Sequence, residues 1–348
     1  MNPIVKIPVV ILSGFLGSGK TTLLLKLLEE TALRGLKPGV LMNELGRLDI
    51  DGELISRSSS IRFPMEKLLD GCICCTKKDE IQEALGNLLR QRPDLLLLEL
   101  TGVANPEEIA EQLAEPELIS RVYLYRVITL VDAEHALEYN SIFASDKQLV
   151  RTLRCQLTTA DDLIINKTDL VPPAHSGKVT EMIRKYNSEG RIHYAVNANI
   201  PLSPLFAAVQ PAARPLPVPA SPASPLSAKG NRSPFRVIPT HRHGPDNPAD
   251  SGVAPTSFSR INTISLPITE PLRLPAAKLE RFIKKWGSGL LRAKGYVRFA
   301  RPEPAYLVQY AGKRFNWEPT AYSGPYYLVL IGYGLPERAI AEEWALLV

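Results

Sequence analysis

Apolar residues fall into two patterns along this chain. Short unbroken runs at 9–12, 39–41, 95–98, 127–131 and 163–165 have the length and continuity of strands buried on both faces. Between them, segments such as 21–33 and 78–89 repeat Leu, Ile and Ala every three to four positions, which predicts amphipathic helices. The alternation predicts an α/β unit, a parallel sheet with helices on both faces and its functional loops at the C-terminal ends of the strands. No internal repeat is visible.

The pattern stops near residue 205. Pro211, Pro215, Pro217, Pro219, Pro222 and Pro225 crowd among Ala and Ser, and such a stretch cannot build a core, so 206–255 is expected to be a flexible, partly polyproline-II connector. Alternation returns at 258–264, followed by a predicted helix at 275–286, strands at 296–299, 306–310 and 326–331, and a helix at 336–347, together a smaller α+β unit. The expected division is 1–205, 206–255 and 256–348. A chain of 348 residues with 45% hydrophobic content can fill two cores.

Chemistry enters at the end of the first apolar run. Gly14-Phe15-Leu16-Gly17-Ser18-Gly19-Lys20-Thr21-Thr22 stands between a predicted strand and a predicted helix, the context of a P-loop NTPase. Gly14, Gly17 and Gly19 let backbone N–H groups close on phosphate oxygens, Ser18 and Thr22 belong to the same cradle, Lys20 reaches the β- and γ-phosphates, and Thr21 sets its hydroxyl on Mg²⁺. The positive end of the helix dipole faces the triphosphate. Downstream, the run at 163–165 ends in Asn166-Lys167-Thr168-Asp169. A carboxylate at Asp169 can accept from N1–H and the exocyclic amine of guanine, Asn166 braces the loop and Lys167 lies along the base, so GTP and GDP are the expected nucleotides. Between the two motifs, Glu99 is placed to hold a Mg²⁺-bound water, and Gly102 to offer its N–H to the γ-phosphate.

Three of the four cysteines fall in Gly71-Cys72-Ile73-Cys74-Cys75. Three thiolates on one loop suit a soft or borderline transition metal with a coordination position left open. A redox-sensing thiol cluster and inert buried cysteines remain open beside that reading. A disulfide closes almost no loop at this spacing, and Cys155 is expected in the core. The first residues lead straight into a strand without a leader-like apolar region, and no apolar stretch approaches bilayer length, so a reducing, cytoplasmic setting without membrane attachment is expected.

The net charge is +5, and residues 256–348 carry 13 Lys/Arg against 7 Asp/Glu. Lys284, Lys285, Arg292, Lys294, Arg298 and Arg301 suggest a basic face. With no nucleic-acid motif or stacking aromatics beside them, nucleic acid is not expected, and docking of a client or of the first unit is the preferred reading.

Taken together, GFLGSGKTTLL, NELG, GCICC, ELTGVANP, VDA, ADDLIINKTDLV and the late LLRAKGYV resemble the CobW family of metallochaperone GTPases. The resemblance implies Cys72, Cys74 and Cys75 as metal ligands on a loop near the nucleotide, 99–102 as a second switch, and Glu44 in a first switch as a ligand or water contact. Arg47 departs from relatives that carry an acidic residue there. His241 and His243 are all that corresponds to the long histidine-rich stretch of many relatives, and no metal store is expected from them. The implied function is slow, nucleotide-controlled delivery of a metal, Zn²⁺ first and Co²⁺ next, to a client metalloprotein. A GTP-regulated redox switch or binding protein is the alternative, and a homodimer through the switch loops is left open.

Overall fold

The computed structural model describes residues 6–42, 65–67, 78–141, 146–211, 259–287, 289–300, 304–311 and 313–348. Its first unit contains β1 (Ile7–Gly14), α1 (Lys20–Leu33), β2 (Pro38–Met42), β3 (Met65–Lys67), α2 (Lys78–Arg90), β4 (Leu95–Glu99), α3 (Pro106–Leu113), α4 (Pro116–Ile119), β5 (Val122–Asp132), α5 (Ala136–Tyr139), α6 (Lys147–Thr159), β6 (Asp162–Asn166), α7 (Pro173–Tyr186) and β7 (Arg191–Tyr194). The strands form one sheet in the order β3-β2-β4-β1-β5-β6-β7, parallel throughout.

Every residue of β2, β4 and β6 is buried, which explains their unbroken apolar runs. Successive residues of β1 serve opposite cores. Val9 and Ile11 pack with Leu85 and Leu88 of α2 and with Ile109 and Leu113 of α3, while Val10 and Leu12 pack with Leu23, Leu24, Leu27 and Leu28 of α1. Replacing one of these fully buried leucines with Ala typically costs ~2–5 kcal/mol. Leu205, Phe206 and Val209 also belong to the α1-side core. Ordered packing therefore runs past 205 into the stretch expected as connector, because these apolar side chains find a sheet face to cover. Residues 212–258 lie outside the described residues.

The second unit is an antiparallel sheet in the order β11-β10-β9-β12-β8, built from β8 (Ile261–Ile268), β9 (Leu290–Val297), β10 (Ala305–Ala311), β11 (Arg314–Thr320) and β12 (Tyr326–Tyr333), with α8 (Ala276–Lys285) and α9 (Glu337–Leu347). One face packs on Leu279, Phe282 and Ile283 of α8 and on Ile340 and Trp344 of α9. The other contributes Ile261, Tyr327, Val329 and Ile331 to the core beneath α2 and α3, so the two units share one apolar interface.

That interface also carries charge. Lys294, 5% exposed, donates to Glu115 at 3.0 Å and pairs with Glu111 at 3.2 Å. Arg292 pairs with Glu111 at 3.0 Å, and the Tyr327 hydroxyl donates to Glu115. The run of basic residues read as one surface is thus divided, since β9 turns Arg292 and Lys294 inward onto the end of α3 and the residues that follow it.

Candidate nucleotide site and metal loop

β1 ends in a turn that only glycine tolerates at two points. Gly14 has φ +131°, and a Cβ there would meet the Leu130 carbonyl oxygen at 2.2 Å. Gly19 has φ +105°, and a Cβ would meet Asn166 Nδ2 at 2.5 Å. Both conformations lie where L side chains are strained. The Ser18 hydroxyl and backbone N–H both donate to the Phe15 carbonyl, at 2.7 and 3.2 Å, closing the loop before α1 begins at Lys20. The N–H groups of that first turn have no partner within the helix, which makes its end suited to an anion.

Lys20 is 7% exposed and its Nζ donates to the carbonyls of Gly14 and Phe15 at 2.9 and 3.0 Å. The Thr21 hydroxyl donates to Glu99 Oε1 at 2.9 Å. The sheet register explains this meeting across the sequence, since Leu12 lies beside Glu99 in the β1–β4 pair. A hydroxyl and a buried carboxylate side by side form a hard-oxygen donor set, which fits Mg²⁺.

Asn166, 2% exposed, ties three loops together. Its Nδ2 donates to the Ser18 carbonyl at 2.8 Å, and its Oδ1 accepts the Ala198 N–H at 2.8 Å. Lys167 adopts a left-handed conformation, φ 61°, and its Nζ lies 2.6 Å from Asp132 Oδ2. Asp169 is exposed on a short turn, and the preceding Thr168 is pinned to the Ala195 carbonyl by both its N–H and its hydroxyl, at 3.2 and 3.1 Å.

Three contributors carried no role in the sequence reading. Asp132 ends the long buried strand β5 beside Asn166, and its place at the C-terminal end of a strand was the available signal. The turn 195–198 had none, because it depends on Asn197 and Ala198 adopting positive φ. Gln156 likewise had none, since the partners of its side chain, the Gly102 and Ala104 carbonyls, lie more than 50 residues away. Among the described residues, Asp132, Glu134 and His135 form the one group with metal-ligand spacing, but the Lys167 ammonium already neutralises Asp132.

Gly102 packs so closely on the phosphate loop that a Cβ would meet the Leu16 backbone nitrogen at 2.5 Å. Cys155 is half-buried between α3 and α6, where its thiol donates to Glu107. Burial, then the Glu107 charge, hold that thiol well above its usual range, and burial also raises Glu107. Cys72, Cys74, Cys75 and Glu44 lie outside the described residues, as do Arg47, His241 and His243. No helix among the described residues is long and apolar enough to cross a membrane.

A doubly wound parallel sheet with a glycine-rich loop after its central strand, backed by Lys20, Thr21 and Asn166, defines a P-loop nucleotide-binding fold. Residues 8–194 match the CobW/HypB/UreG nucleotide-binding domain and residues 261–347 the cobalamin synthesis protein CobW C-terminal domain. The chain belongs to the CobW/HypB/UreG family. It is 35% identical over 214 residues to the zinc chaperone YjiA of Escherichia coli (strain K12), covering 59% of this chain and 62% of YjiA. Identity to the zinc chaperone CobW of a Sinorhizobium species is 33% over 188 residues, 48% of this chain and 52% of that protein. The zinc chaperone CobW of Pseudomonas aeruginosa is 27% identical over 374 positions, covering 99% of this chain and 92% of that protein. The first two alignments span less than two thirds of those relatives.

Proposed function

We propose that this protein is a GTPase that takes a transition metal as cargo on Cys72, Cys74 and Cys75 and releases it to a client metalloprotein under nucleotide control, in a reducing, cytoplasmic setting. The observation that carries the nucleotide half is the contact of Thr21 with Glu99 beside Lys20 and Asn166. It joins three separate sequence motifs at one point. The metal half rests on three thiols in four positions and on relatives named zinc chaperones, so Zn²⁺ is the first cargo to test and Co²⁺ the second.

In this reading the N–H groups at the start of α1 and the Lys20 ammonium bind the β- and γ-phosphates. Thr21 would hold Mg²⁺ and Glu99 a water bound to it, and the ion would supply positive charge to the phosphate oxygens. Asp169 reads guanine, Lys167 lines the base and Asn166 keeps their loop against the phosphate loop. Gly102 donates its N–H to the γ-phosphate, so cleavage of that phosphate releases the 100–105 loop. Glu44 belongs to the first switch.

Competition titration of Zn²⁺ and Co²⁺ into the reduced full chain, with Mg²⁺ and either GDP or a GTP analogue, tests the whole reading. One tightly bound metal whose affinity changes with nucleotide, lost when Cys72, Cys74 and Cys75 are all changed to Ser, is expected. Nucleotide-independent affinity would separate the metal from the GTPase. No cysteine-dependent binding would favour a thiol redox switch.

A further inference from the structure

Gln156 lies in α6, outside every nucleotide motif, and is fully buried. Its Nε2 donates to the carbonyl of Gly102 at 3.2 Å and to that of Ala104 at 3.0 Å. Both neighbours are acceptors, so only the NH₂ end of the amide can face them. The backbone carbonyl of the same residue accepts the Thr129 hydroxyl at 3.0 Å. Thr129 stands opposite Ser13 in the β1–β5 register, immediately before the phosphate loop. The 100–105 loop is therefore fixed from two sides, with Gly102 pressed on the Leu16 backbone nitrogen and its carbonyl held by the side chain of a helix residue whose own backbone is tied to β5, the strand next to β1.

The arrangement holds the loop at a cost of its own. Gln156 Oε1 is buried with no hydrogen-bond partner among the described residues, and an orphaned buried carbonyl is a net cost. An apolar residue of similar length would remove that orphan but take the donor away from two loop carbonyls, so what the amide contributes is the fixing of the loop.

We propose that Gln156 is a positioning residue for GTP hydrolysis. By holding the carbonyls on either side of Val103, it sets the orientation of Gly102 and so aims the Gly102 N–H at the γ-phosphate. This rests on the role given to Gly102 above. Its distinctive consequence is selectivity for the triphosphate. Loss of the strut weakens contacts that exist only when a γ-phosphate is bound or leaving, and it spares the contacts to GDP.

The test compares the full-length wild type with Gln156→Met, which keeps length and volume but removes both donors. In the variant, kcat for GTP should fall about tenfold or more, GDP affinity should stay within about twofold, and the ratio of GTP-analogue to GDP affinity should fall. A variant with lowered melting temperature but unchanged kcat and ratio would reduce Gln156 to a packing residue and overturn the proposal. Equal loss of GDP and GTP-analogue affinity would overturn it too. Should Gln156→Met not fold, the side-chain amide resonances of Gln156 in glutamine-labelled wild type serve instead. They should shift when GDP is replaced by the GTP analogue, and an unchanged resonance would refute the strut. Failure of the Gly102 reading looks different, because wild type itself would then not distinguish the two nucleotides.

Discussion

The two sheets place their polar residues in opposite ways. In the parallel sheet the strands are mostly apolar, with Arg126 and Thr129 of β5 as buried exceptions, and the polar groups given roles in the proposed site gather at strand ends, as with Glu99 on β4, Asp132 on β5 and Asn166 on β6. In the antiparallel sheet the polar groups lie on the sheet face, where Arg292 and Lys294 of β9 point into the boundary with the first unit. A strand end can approach a ligand without exposing the core. A strand face can only meet another surface, so charges placed there specify docking. The acceptors they meet, Glu111 and Glu115, lie at the end of α3 and just beyond it, and α3 is the helix that follows the 100–105 loop. The second unit thus rests on the element next in line to feel a movement of Gly102.

The largest effect should come from the docking side. Lys294→Met keeps the aliphatic stem but leaves Glu115 and Glu111 short of a buried cation, and removal of one partner of such a pair costs about 3–5 kcal/mol. Chemical denaturation should show that loss. Combining it with Glu115→Gln should recover a substantial part, because the uncompensated charge is then gone. If the double variant is no more stable than Lys294→Met, the pair does not hold the units together in the manner described.

On the ligand side, Lys20→Ala should lower GTP turnover by about 10²–10³-fold, the usual cost of removing one preorganised charge from a transition state. The melting temperature without nucleotide should change little, since the bonds of Lys20 to the Gly14 and Phe15 carbonyls close within the phosphate loop itself. Steady-state hydrolysis together with a thermal melt checks both halves. A large fall in stability would place Lys20 among the structural residues.

How much of this the sequence announced follows from where each interaction closes. The phosphate loop, β1, β4 and β6 were legible because their signals are local, namely glycines at fixed spacing and runs buried on both faces. β9 was expected only from 296, whereas it begins at Leu290, because Arg292 and Lys294 look like solvent-facing residues until Glu111 and Glu115 stand opposite them. β11 was missed altogether. It is an edge strand with exposed Arg314, Asn316 and Glu318 on one side and Pro319 near its end, and only the half-buried Phe315 and Trp317 mark its inner face. Gln156 and Asp132 have partners distant in sequence, so no window along the chain contains their reason. Cys72, Cys74, Cys75 and Glu44 lie outside the described residues, and the titration proposed above tests the role of the three cysteines.

A pH dependence should arise where the second unit begins. Asp161 Oδ1 accepts the Arg260 N–H and Oδ2 the Val127 N–H, both at 2.6 Å. Burial is the main cause raising this carboxyl to about 7, with the two backbone donors opposing it and Asp162 adding to it, while Arg126 lowers it. A carboxyl raised in the folded state binds its proton more tightly there than when unfolded. Its contribution is therefore most favourable below the unfolded value near 3.8 and declines as pH rises to about 7, by a few kcal/mol at most (~1.4 per pKa unit). Asp161→Asn should flatten the stability profile over that window. An unchanged slope in urea titrations across pH 4 to 7 would show that the two donors fully offset the desolvation.

The smallest predicted effect is also the one that best separates two ways of serving the same site. Asp132 holds the Lys167 ammonium at 2.6 Å, and its other polar partners are the Glu134 N–H and His135 rather than the 100–105 loop. Asp132→Asn keeps the shape and one acceptor but removes the charge, so Lys167 would lose the place along the base that the proposed function gives it. That contact is the same for GTP, GDP and the transition state between them, and lost uniform binding raises KM without changing kcat. GTP and GDP affinities should therefore fall together, about three- to tenfold, with kcat near the wild-type value. Gln156→Met is expected to show the reverse pattern, a lowered kcat with GDP affinity retained. Measured side by side, the two variants ask whether the base side of the site contributes only binding and the loop side only switching. A fall in kcat for Asp132→Asn matching that of Gln156→Met would mean that the base motif and the 100–105 loop act as one unit, coupled through Asn166 and the phosphate loop it braces.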